Sequence, residues 1–299
     1  MDTVINTLET TNFDIKENVS FKTLTTYKTG GICKYLVSPK NVESLIELIK
    51  ILKNSNIDYK ILGNGSNILV SDETFNGVVI KLDKLNDLEI NDTTITVGAG
   101  HSLISLALTC SNKGLSGLEW ASGIPGTVGG AVYMNAGAYL KSVSDFLIEI
   151  KVLDNDLSIK TLKCEELGFS YRKSNLMDNK YIVLSATFKL VDGEKDEILK
   201  VIKDRKERRM SSQPLEYPSA GSVFRNPEGD YAGRLVEECG LKGKQIGGAQ
   251  ISEKHANFVI NKDNATSSDI KFLIELAKSE VYKKFNIELK IEQEFFNWE

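Results

Sequence analysis

Residues 121–139 read ASGIPGTVGGAVYMNAGAY, a stretch that contains five glycines and no ionisable side chain other than the tyrosine hydroxyls. With side chains this small, the backbone itself is the contact surface. Its glycines can adopt φ > 0 or bring N–H groups close to a ligand, and Pro125 stiffens the turn between them. The stretch favours a large, flat, phosphate-bearing ligand, and a tightly packed structural turn is the alternative.

Two further glycine-rich segments precede it: GNGSN at 63–67, between two strand-like runs, and GAG at 98–100. GNGSN predicts a tight turn whose N–H groups and polar side chains form an anion-binding nest, with a plain hairpin turn as the alternative. No GK[ST] follows, which excludes a nucleoside-triphosphate loop. No GxGxxG opens a helix, which disfavours a Rossmann site. One extended ligand explains the three segments better than three unrelated turns do.

Composition excludes several classes of function. The 299 residues predict two or three domains. The hydrophobic share of 41% and the charged share of 26% are those of an ordinary soluble protein. A net charge of −4 with mixed signs argues against a nucleic-acid partner. No apolar run approaches the ~20 residues of a membrane span, and the polar N-terminus does not read as a secretory signal.

The cysteines and histidines argue against a metal site. Cys33, Cys110, Cys164 and Cys239 lie far apart without paired spacing, which indicates reduced thiols in a cytoplasmic protein rather than a disulfide framework. Two histidines are too few for a His-based zinc site. We therefore expect a cytoplasmic protein without a metal or a membrane partner.

Apolar periodicity predicts an α+β chain. We expect helices at 42–54, 102–113, 197–210, 234–238 and 268–285. We expect strands at 77–82, 88–90, 94–97, 148–153, 158–162, 181–190, 248–251, 258–260 and 287–296. The polar patch at 191–196 predicts a boundary between a domain of residues 1–195, with a β-α-β subdomain near 20–82, and a domain of residues 196–299.

Three side chains outside the glycine segments could carry chemistry. Arg172, in YRKS at 171–174, offers a planar charged fork for a carboxylate or phosphate; a surface salt bridge is the alternative. Ser222, in PSAGSVFRNP at 218–227, sits on a backbone stiffened by prolines and suits a positioned proton donor; a structural serine is the alternative. This is not a Gly-x-Ser-x-Gly elbow. Glu292, in IELKIEQEFF at 287–296, alternates with other charged residues; an exposed acidic edge strand is the alternative, and nothing in the local sequence singles Glu292 out.

In their order along the chain, these motifs resemble one family, the UDP-N-acetylenolpyruvoylglucosamine reductases (MurB). The resemblance is carried by TYKTGG at 26–31, GNGSNILV at 63–70, GIPGTVGGAVYMNAGAY at 123–139, YRKS, QPLEYPSAGSVFRNP at 213–227 and GLKGKQIGGAQISEKHANFVIN at 240–261. Each motif alone is weak, but the ordered set is specific and spans nearly the whole chain.

The resemblance implies a domain that binds FAD non-covalently, of the PCMH or vanillyl-alcohol-oxidase type with two α+β subdomains, and a smaller C-terminal α+β substrate domain. It also implies NADPH-dependent reduction of the enolpyruvyl ether of UDP-N-acetylglucosamine to UDP-N-acetylmuramate for peptidoglycan, and hence for cell-wall biogenesis, cell shape and division. NADPH and the UDP-linked sugar would use one pocket in turn, with ping-pong kinetics. The protein is expected to be a monomer.

Residue by residue, the resemblance implies three catalytic positions. Arg172 and Glu292 would hold the substrate carboxylate as it takes up charge, and Ser222 would deliver a proton to the α-carbon after hydride addition to the β-carbon. Glu294 and Glu288 are rivals to Glu292 as the acid. The implied FAD contacts are Gly63, Asn64, Gly65, Ser66, Asn67, Gly98, Ala99, Gly100, Ser122, Gly123, Ile124, Pro125, Gly126, Gly129, Gly130, Ala131, Asn135 and Ile182.

The implied substrate contacts are Arg209 and Lys242 for the diphosphate, and Tyr171, Asn226 and Gln250 for other polar groups. Arg205 or Arg208 could replace Arg209, since all three lie in one basic run. The last strand departs from the family pattern: where an arginine and a C-terminal glycine are usual, this chain has Gln293-Glu294-Phe295-Phe296. The length matches the compact (type II) form of the family, without the tyrosine-bearing loop of the longer form.

Two other functions compete with this interpretation. A flavin oxidase of a small alcohol or sugar on the same fold would need a residue for covalent flavin attachment, for which His101 is the nearby candidate. A non-catalytic module that binds a nucleotide sugar would keep the loops without Arg172, Ser222 and Glu292, which are all present. NADPH consumption with and without the enolpyruvyl sugar distinguishes these functions.

Overall fold

The structure is a computed structural model that describes residues 1–5, 8 and 11–298, with Thr3 described by its backbone alone. Its helices are α1 (Asp2–Ile5), α2 (Val42–Asn54), α3 (Leu103–Asn112), α4 (Val128–Tyr133), α5 (Leu176–Asn179), α6 (Lys195–Ser212), α7 (Ala232–Glu238) and α8 (Ser267–Phe285). Short 3₁₀ turns lie at Phe21–Thr23, Glu119–Gly123, Val143–Asp145 and Cys164–Leu167.

The strands of the first half are β1 (Phe13–Ser20), β2 (Ile32–Pro39), β3 (Tyr59–Ile61), β4 (Ile68–Val70), β5 (Phe75–Ile80), β6 (Leu88–Asn91), β7 (Thr94–Gly98), β8 (Leu115–Ser116), β9 (Gly137–Ala138) and β10 (Lys141–Ser142). Those of the second half are β11 (Leu147–Leu153), β12 (Ile159–Lys163), β13 (Ile182–Lys189), β14 (Val191–Asp192), β15 (Gln245–Ile246), β16 (Ala249–Ile251), β17 (Val259–Asn261) and β18 (Glu294–Phe296). The predicted α+β class is confirmed.

Local signals explain the helices that periodicity predicted. In α2 the Asn41 side chain accepts from the Ser44 N–H in a capping box, and Leu45, Leu48 and Ile49 form the buried face. Ser102 caps α3 in the same way, by accepting from the Ser105 N–H. Apolar spacing and a capping side chain agree in both helices, so local sequence sets both their start and their buried face.

The chain divides into two compact units, each built from several segments. The first unit comprises Met1–Glu17, Tyr35–Asn64 and Gly77–Lys206, and the second comprises Asn18–Lys34, Gly65–Asn76 and Glu207–Glu299. The division falls within β1, β2, β5 and α6. The single boundary at 195/196 stays a prediction.

Sheets and cores define each unit. The order β12-β11-β13-β7-β6 gives an antiparallel sheet of five strands in the first unit, and β1-β2-β5-β3 form another sheet. The second unit holds β15-β16-β17 and the parallel pair β18-β4. The first core includes α2 and α3 residues around Trp120, and the second is built on the inner face of α8, including Ile270, Leu273 and Ile274.

Two predicted features differ in the structure. The hairpin alternative for GNGSN is wrong, because β3 pairs with β5 while β4 pairs with β18. The loop therefore joins two different sheets. The predicted strand at 287–296 is regular only at Glu294–Phe296, with an isolated bridge between Phe224 and Ile291. Ile291 bridges Phe224, whereas the residues from Glu294 onward pair with β4. This change of partner at Gln293 interrupts the strand.

In the described part of the chain, no helix combines the length and the apolar character needed to span a membrane.

Candidate functional site

Two of the glycine segments stack directly on each other in the first unit. The Gly129 N–H donates to the Ala99 carbonyl at 2.8 Å and the Val128 N–H donates to the His101 carbonyl at 2.9 Å. A Cβ built on Gly129 would lie 2.9 Å from the Ala99 Cβ. The GAG segment and the 121–139 segment are therefore in backbone contact, and glycine at position 129 permits it.

The GAG segment is also pressed against the chain that follows β5. A Cβ on Gly100 would lie 1.7 Å from the Leu82 carbonyl oxygen, and its N–H donates to the Leu85 carbonyl at 2.8 Å. The N–H groups of Gly98 and Ala99 are likewise accepted, by the Asp87 and Leu184 carbonyls. These residues stay predicted FAD contacts, but their N–H groups already have acceptors within the protein.

The GNGSN loop differs in this respect. The hydrogen bonds among the described residues use none of the backbone N–H groups at 63–67. In the first unit, the Asn64 side chain donates to the Pro125 carbonyl at 3.3 Å, and a Cβ on Gly63 would lie 2.8 Å from the Thr127 hydroxyl oxygen. The first part of the loop therefore lies against the 121–139 segment, and the loop keeps a run of free donors of the kind that binds anions.

Lys81, which the sequence analysis missed, adds a cation to this cluster of loops. Its Nζ donates to the Gly63 carbonyl. Burial lowers the pKa of this ammonium, while Asp83 acts in the opposite direction. Among the described residues no carboxylate forms an ion pair with Lys81. A lysine directly after the buried run GVVI was the available signal, because a charge at the end of a buried strand needs a partner.

The turn that carries Arg172 is hydrogen-bonded to the 121–139 segment. The Arg172 guanidinium donates to the Gly137 carbonyl at 2.7 Å, and the Asn135 amide donates to the Ser170 carbonyl at 2.9 Å. The buried Ser174 hydroxyl donates to the Tyr133 carbonyl at 2.6 Å. Arg172 itself has φ +56, a left-handed conformation that is uncommon for arginine. Strain of this kind concentrates at functional sites.

In the second unit, Ser222 and Glu292 lie on neighbouring backbone segments. The Glu292 N–H donates to the Val223 carbonyl at 2.8 Å, and Phe224 bridges Ile291. The buried Asn257 side chain holds Phe224 through two hydrogen bonds of 2.9 Å, one accepted from its N–H and one donated to its carbonyl. The half-buried Ser222 hydroxyl makes no hydrogen bond with the described residues.

The remainder of GNGSN contacts the same part of the second unit. The Asn67 side-chain amide donates to the Glu292 backbone carbonyl at 3.2 Å. The backbone carbonyl of Asn67 accepts from the Glu294 N–H at 2.9 Å. The Thr26 N–H of the TYKTGG motif donates to the Gly65 carbonyl at 3.1 Å. Two residues distant in sequence, Asn67 and Val223, therefore both hydrogen-bond to the Glu292 backbone.

The predicted substrate residues have varied surroundings. Lys242 pairs with Glu237 at 2.8 Å, and the exposed Asn226 caps α7 by accepting from the Ala232 N–H at 3.1 Å. Gln250 is 5% exposed; it donates to the Gly243 carbonyl and accepts from Lys262. Arg209 is half-buried in α6.

Tyr171 is 54% exposed and its ring lies 5.1 Å from the Arg172 guanidinium carbon. Ile182 begins β13. The predicted substrate and FAD contacts stay predictions. No cluster of three or more His, Cys, Asp or Glu that could hold a metal occurs among the described residues.

Two sequence families match the chain: the FAD binding domain family over residues 33–163, and the C-terminal domain of UDP-N-acetylenolpyruvoylglucosamine reductase over residues 213–296. A curated UDP-N-acetylenolpyruvoylglucosamine reductase from Anoxybacillus flavithermus is 46% identical over 282 residues, which cover 94% of this chain and 93% of that protein. The chain belongs to the UDP-N-acetylenolpyruvoylglucosamine reductase family. The predicted resemblance is confirmed.

Solved structures agree with this membership. The UDP-N-acetylenolpyruvylglucosamine reductase (MurB) from Thermus caldophilus superposes with a TM-score of 0.82 at 36% identity, covering 95% of this chain and 99% of that one. Phl p 4.0202, a glucose dehydrogenase, is only 14% identical, with a TM-score of 0.50 over 64% of this chain and 44% of its own. The second likeness shows that part of the reductase fold is shared with proteins outside the family.

Proposed function

We propose that this chain is an NADPH-dependent flavoprotein, a UDP-N-acetylmuramate dehydrogenase that reduces UDP-N-acetylglucosamine enolpyruvate to UDP-N-acetylmuramate for peptidoglycan. Membership of the reductase family over almost the whole chain carries this proposal. The match to an FAD-binding domain supports the flavin as the cofactor. The four cysteines, none in a disulfide, support the cytoplasm as its location.

The residues present fit FAD. A diphosphate needs donors and positive charge, and in the first unit the unused N–H groups of Gly63 and Asn64 together with the Lys81 ammonium offer both. A bulky ring system needs walls without protruding side chains, and the segment at 121–131 is made mostly of small residues. We propose that these loops hold FAD, with the contacts predicted above.

FAD supplies, when bound, an acceptor for hydride from NADPH and a donor of hydride to the β-carbon of the enolpyruvyl ether. This chain's residues must then manage the charge that develops on the substrate. We assign Arg172 to the substrate carboxylate, since a guanidinium binds carboxylates through two parallel hydrogen bonds. Its hydrogen bond to the Gly137 carbonyl fixes one edge of the fork.

Glu292 is assigned to the same carboxylate group, as a protonated or proton-sharing partner for the charge it takes up. The support is its backbone hydrogen bonds to Val223, next to Ser222, and to Asn67. Glu288 is exposed and forms no hydrogen bond to either segment among the described residues, so it is the weaker rival.

Ser222 is assigned as the proton donor to the α-carbon. Serine is a poor acid in water, but a carbanion is a strong base, so the transfer depends on position rather than on a low pKa. The Ser222 hydroxyl forms no hydrogen bond with the described residues, so its proton is available for this transfer. The Ser222 oxygen then recovers a proton from solvent.

Ser222→Ala is expected to preserve reduction of bound flavin by NADPH and to slow reoxidation of that flavin by the enolpyruvyl sugar by ~10²- to 10⁴-fold, the usual contribution of a general acid. Anaerobic stopped-flow absorbance measures both steps. Ser219→Ala, a nearby serine, serves as the control with both rates retained. Loss of flavin reduction in Ser222→Ala would show that the assigned role is wrong.

The function as a whole is tested by NADPH consumption with and without the UDP-linked enolpyruvyl sugar. A rate that depends on the sugar, with UDP-N-acetylmuramate as the product, is expected. Equal rates in the two conditions would indicate an oxidase instead.

A further inference from the structure

Gln293 is a buried polar residue between two glutamates near the C-terminus. Gln293 is only 5% exposed. Its Nε2 donates toward three consecutive carbonyls, those of Ala220 at 3.2 Å, Gly221 at 3.4 Å and Ser222 at 3.4 Å. A single amide therefore lies inside the turn that carries Ser222.

The other end of the same amide is fixed by Tyr27. The Tyr27 hydroxyl donates to Gln293 Oε1 at 3.1 Å. Tyr27 is fully buried, and burial raises the pKa of its phenol, so this donor stays protonated at physiological pH. Because a phenol donates to the oxygen, the amide nitrogen must face the turn. If the amide were rotated by half a turn, its oxygen would face three carbonyl oxygens, and no hydrogen bond could form between them.

The backbone on either side of Gln293 is also held. The Glu292 N–H donates to Val223 and the Glu294 N–H donates to Asn67. The turn itself has less support: Gly221 has φ +74, and a Cβ built on it would have no atom within 4 Å. The Gln293 amide thus supplies the hydrogen bonds at the inside of the turn. The Asn257 side chain binds the chain only beyond Ser222, at Phe224.

A buried amide at this position costs free energy unless its hydrogen bonds are made. An apolar side chain would avoid that cost at residue 293 but would leave the buried Tyr27 hydroxyl without its acceptor and the three carbonyls without this donor. The amide therefore connects Tyr27 to the turn, which packing alone would not do.

We propose that Gln293 is a positioning residue that holds the backbone turn carrying Ser222, with Tyr27 fixing the orientation of its amide. The functional consequence rests on the proposed role of Ser222 as proton donor. Proton transfer to carbon depends steeply on distance, and a misplacement near 1 Å can cost about 10²-fold in rate. Flavin reduction by NADPH does not use the Ser222 proton and should not depend on Gln293.

The test compares Gln293→Met, which keeps the volume and removes both polar ends, with Tyr27→Phe, which removes only the orienting hydroxyl. In anaerobic stopped-flow experiments on the FAD-loaded enzyme, Gln293→Met is expected to slow flavin reoxidation by the enolpyruvyl sugar ~10- to 100-fold. Flavin reduction by NADPH should change less than about twofold. Tyr27→Phe should act in the same direction with a smaller effect.

The double variant should be no slower than Gln293→Met alone, because both residues act through one amide. Leu273→Ala, a core truncation in the same unit, is the control that lowers stability and leaves the ratio of the two half-reactions unchanged. Reoxidation within about twofold of the wild type in Gln293→Met, or an equal loss in both half-reactions, would overturn the proposal.

A second measurement does not depend on the reaction. Hydrogen exchange of the peptide spanning 219–225 should accelerate in Gln293→Met and in Tyr27→Phe, while exchange in α8 stays as in the wild type. Unchanged exchange at 219–225 would refute the positioning role. A wild-type enzyme whose flavin is not reoxidised by the sugar would instead refute the proposed function, so the two failures are distinguishable.

Discussion

Glu292 and Glu294 are rivals for the catalytic acid, and their backbones pair differently. Glu292 pairs with Val223, next to Ser222, whereas Glu294 begins β18 and pairs with Asn67 and β4. We expect Glu292→Gln to slow reoxidation of reduced flavin by the enolpyruvyl sugar ~10²-fold or more, and Glu294→Gln to change it much less. Single-turnover absorbance compares them directly. The reverse order would move the acid to Glu294.

We expect the Lys81 ammonium to contribute to FAD affinity through the diphosphate. Replacing a charged donor removes about 1.5–3 kcal/mol of binding, so Lys81→Met is expected to weaken FAD binding ~10- to 100-fold. Riboflavin, which has no phosphate, should bind the variant and the wild type equally. Flavin fluorescence quenching measures both affinities.

Lys84→Met is the matched control for Lys81, because Lys84 lies three residues away and pairs with the exposed Asp14. It should leave both affinities unchanged. Equal weakening of riboflavin and FAD in Lys81→Met would show that this lysine supports the loop and does not act on the phosphates.

At the scale of single residues, the sequence offers as candidates those that sit in motifs and does not single out those whose contacts lie far away along the chain. Arg172 and Ser222 stand in recognisable segments. Lys81 and Gln293 depend on Gly63 and on Tyr27, which lie 18 and 266 positions away. Nothing in their local sequence specifies such partners.

Among the structural elements, the GAG segment is the one least able to accept a side chain. Gly100→Ala would place a Cβ 1.7 Å from the Leu82 carbonyl oxygen, and the backbone must move to relieve this. We expect a loss of about 3 kcal/mol in stability together with loss of bound FAD. Thermal unfolding and the flavin absorbance of the purified protein measure these effects.

Gly229→Ala is the control for Gly100, since Gly229 has φ +75 but no atom within 4 Å of a built Cβ. It should lose only about 1 kcal/mol and keep its flavin. A yellow, stable Gly100→Ala protein would contradict the close packing of this segment.

Helices and strands with strong periodicity were predictable, and those determined by distant contacts were not. The spacing and caps of α2, α3 and α8 specify them locally. β1 was missed, because its sequence FDIKENVS alternates poorly. α4 was also missed, since VGGAVY contains two glycines and its backbone contacts with the GAG segment help to hold it.

For the whole molecule, the stability should depend on pH through His255. Burial lowers the pKa of this imidazole, whose Nδ1 accepts from the Asn257 N–H at 3.2 Å. The unfolded chain therefore binds a proton at a higher pH than the folded protein does. Stability is complete above the unfolded-state pKa of about 6.5 and falls as the pH decreases below it.

His255→Gln should flatten this dependence. We expect the wild-type midpoint of thermal unfolding to fall from pH 7.5 to pH 5.5, and the difference between the two pH values to be smaller in the variant. Circular dichroism at both pH values measures it. An equal decrease in both proteins would assign the pH dependence to other groups.

The organisation of the whole chain was the hardest feature to predict. A polar patch at 191–196 gave a single boundary, because composition is a local property of the sequence. That boundary stays a prediction, and the compact units combine three segments each, with Asn18–Lys34 and Gly65–Asn76 grouped with Glu207–Glu299. Such grouping depends on long-range pairing, for example of β4 with β18.

The most direct test of the proposed function is a single turnover without oxygen. The purified protein is loaded with FAD, reduced with one equivalent of NADPH, and then mixed with UDP-N-acetylglucosamine enolpyruvate. We predict that the oxidised flavin spectrum returns and that UDP-N-acetylmuramate forms in equal amount. A flavin that stays reduced until oxygen is admitted, with no UDP-N-acetylmuramate formed, would contradict the proposed function.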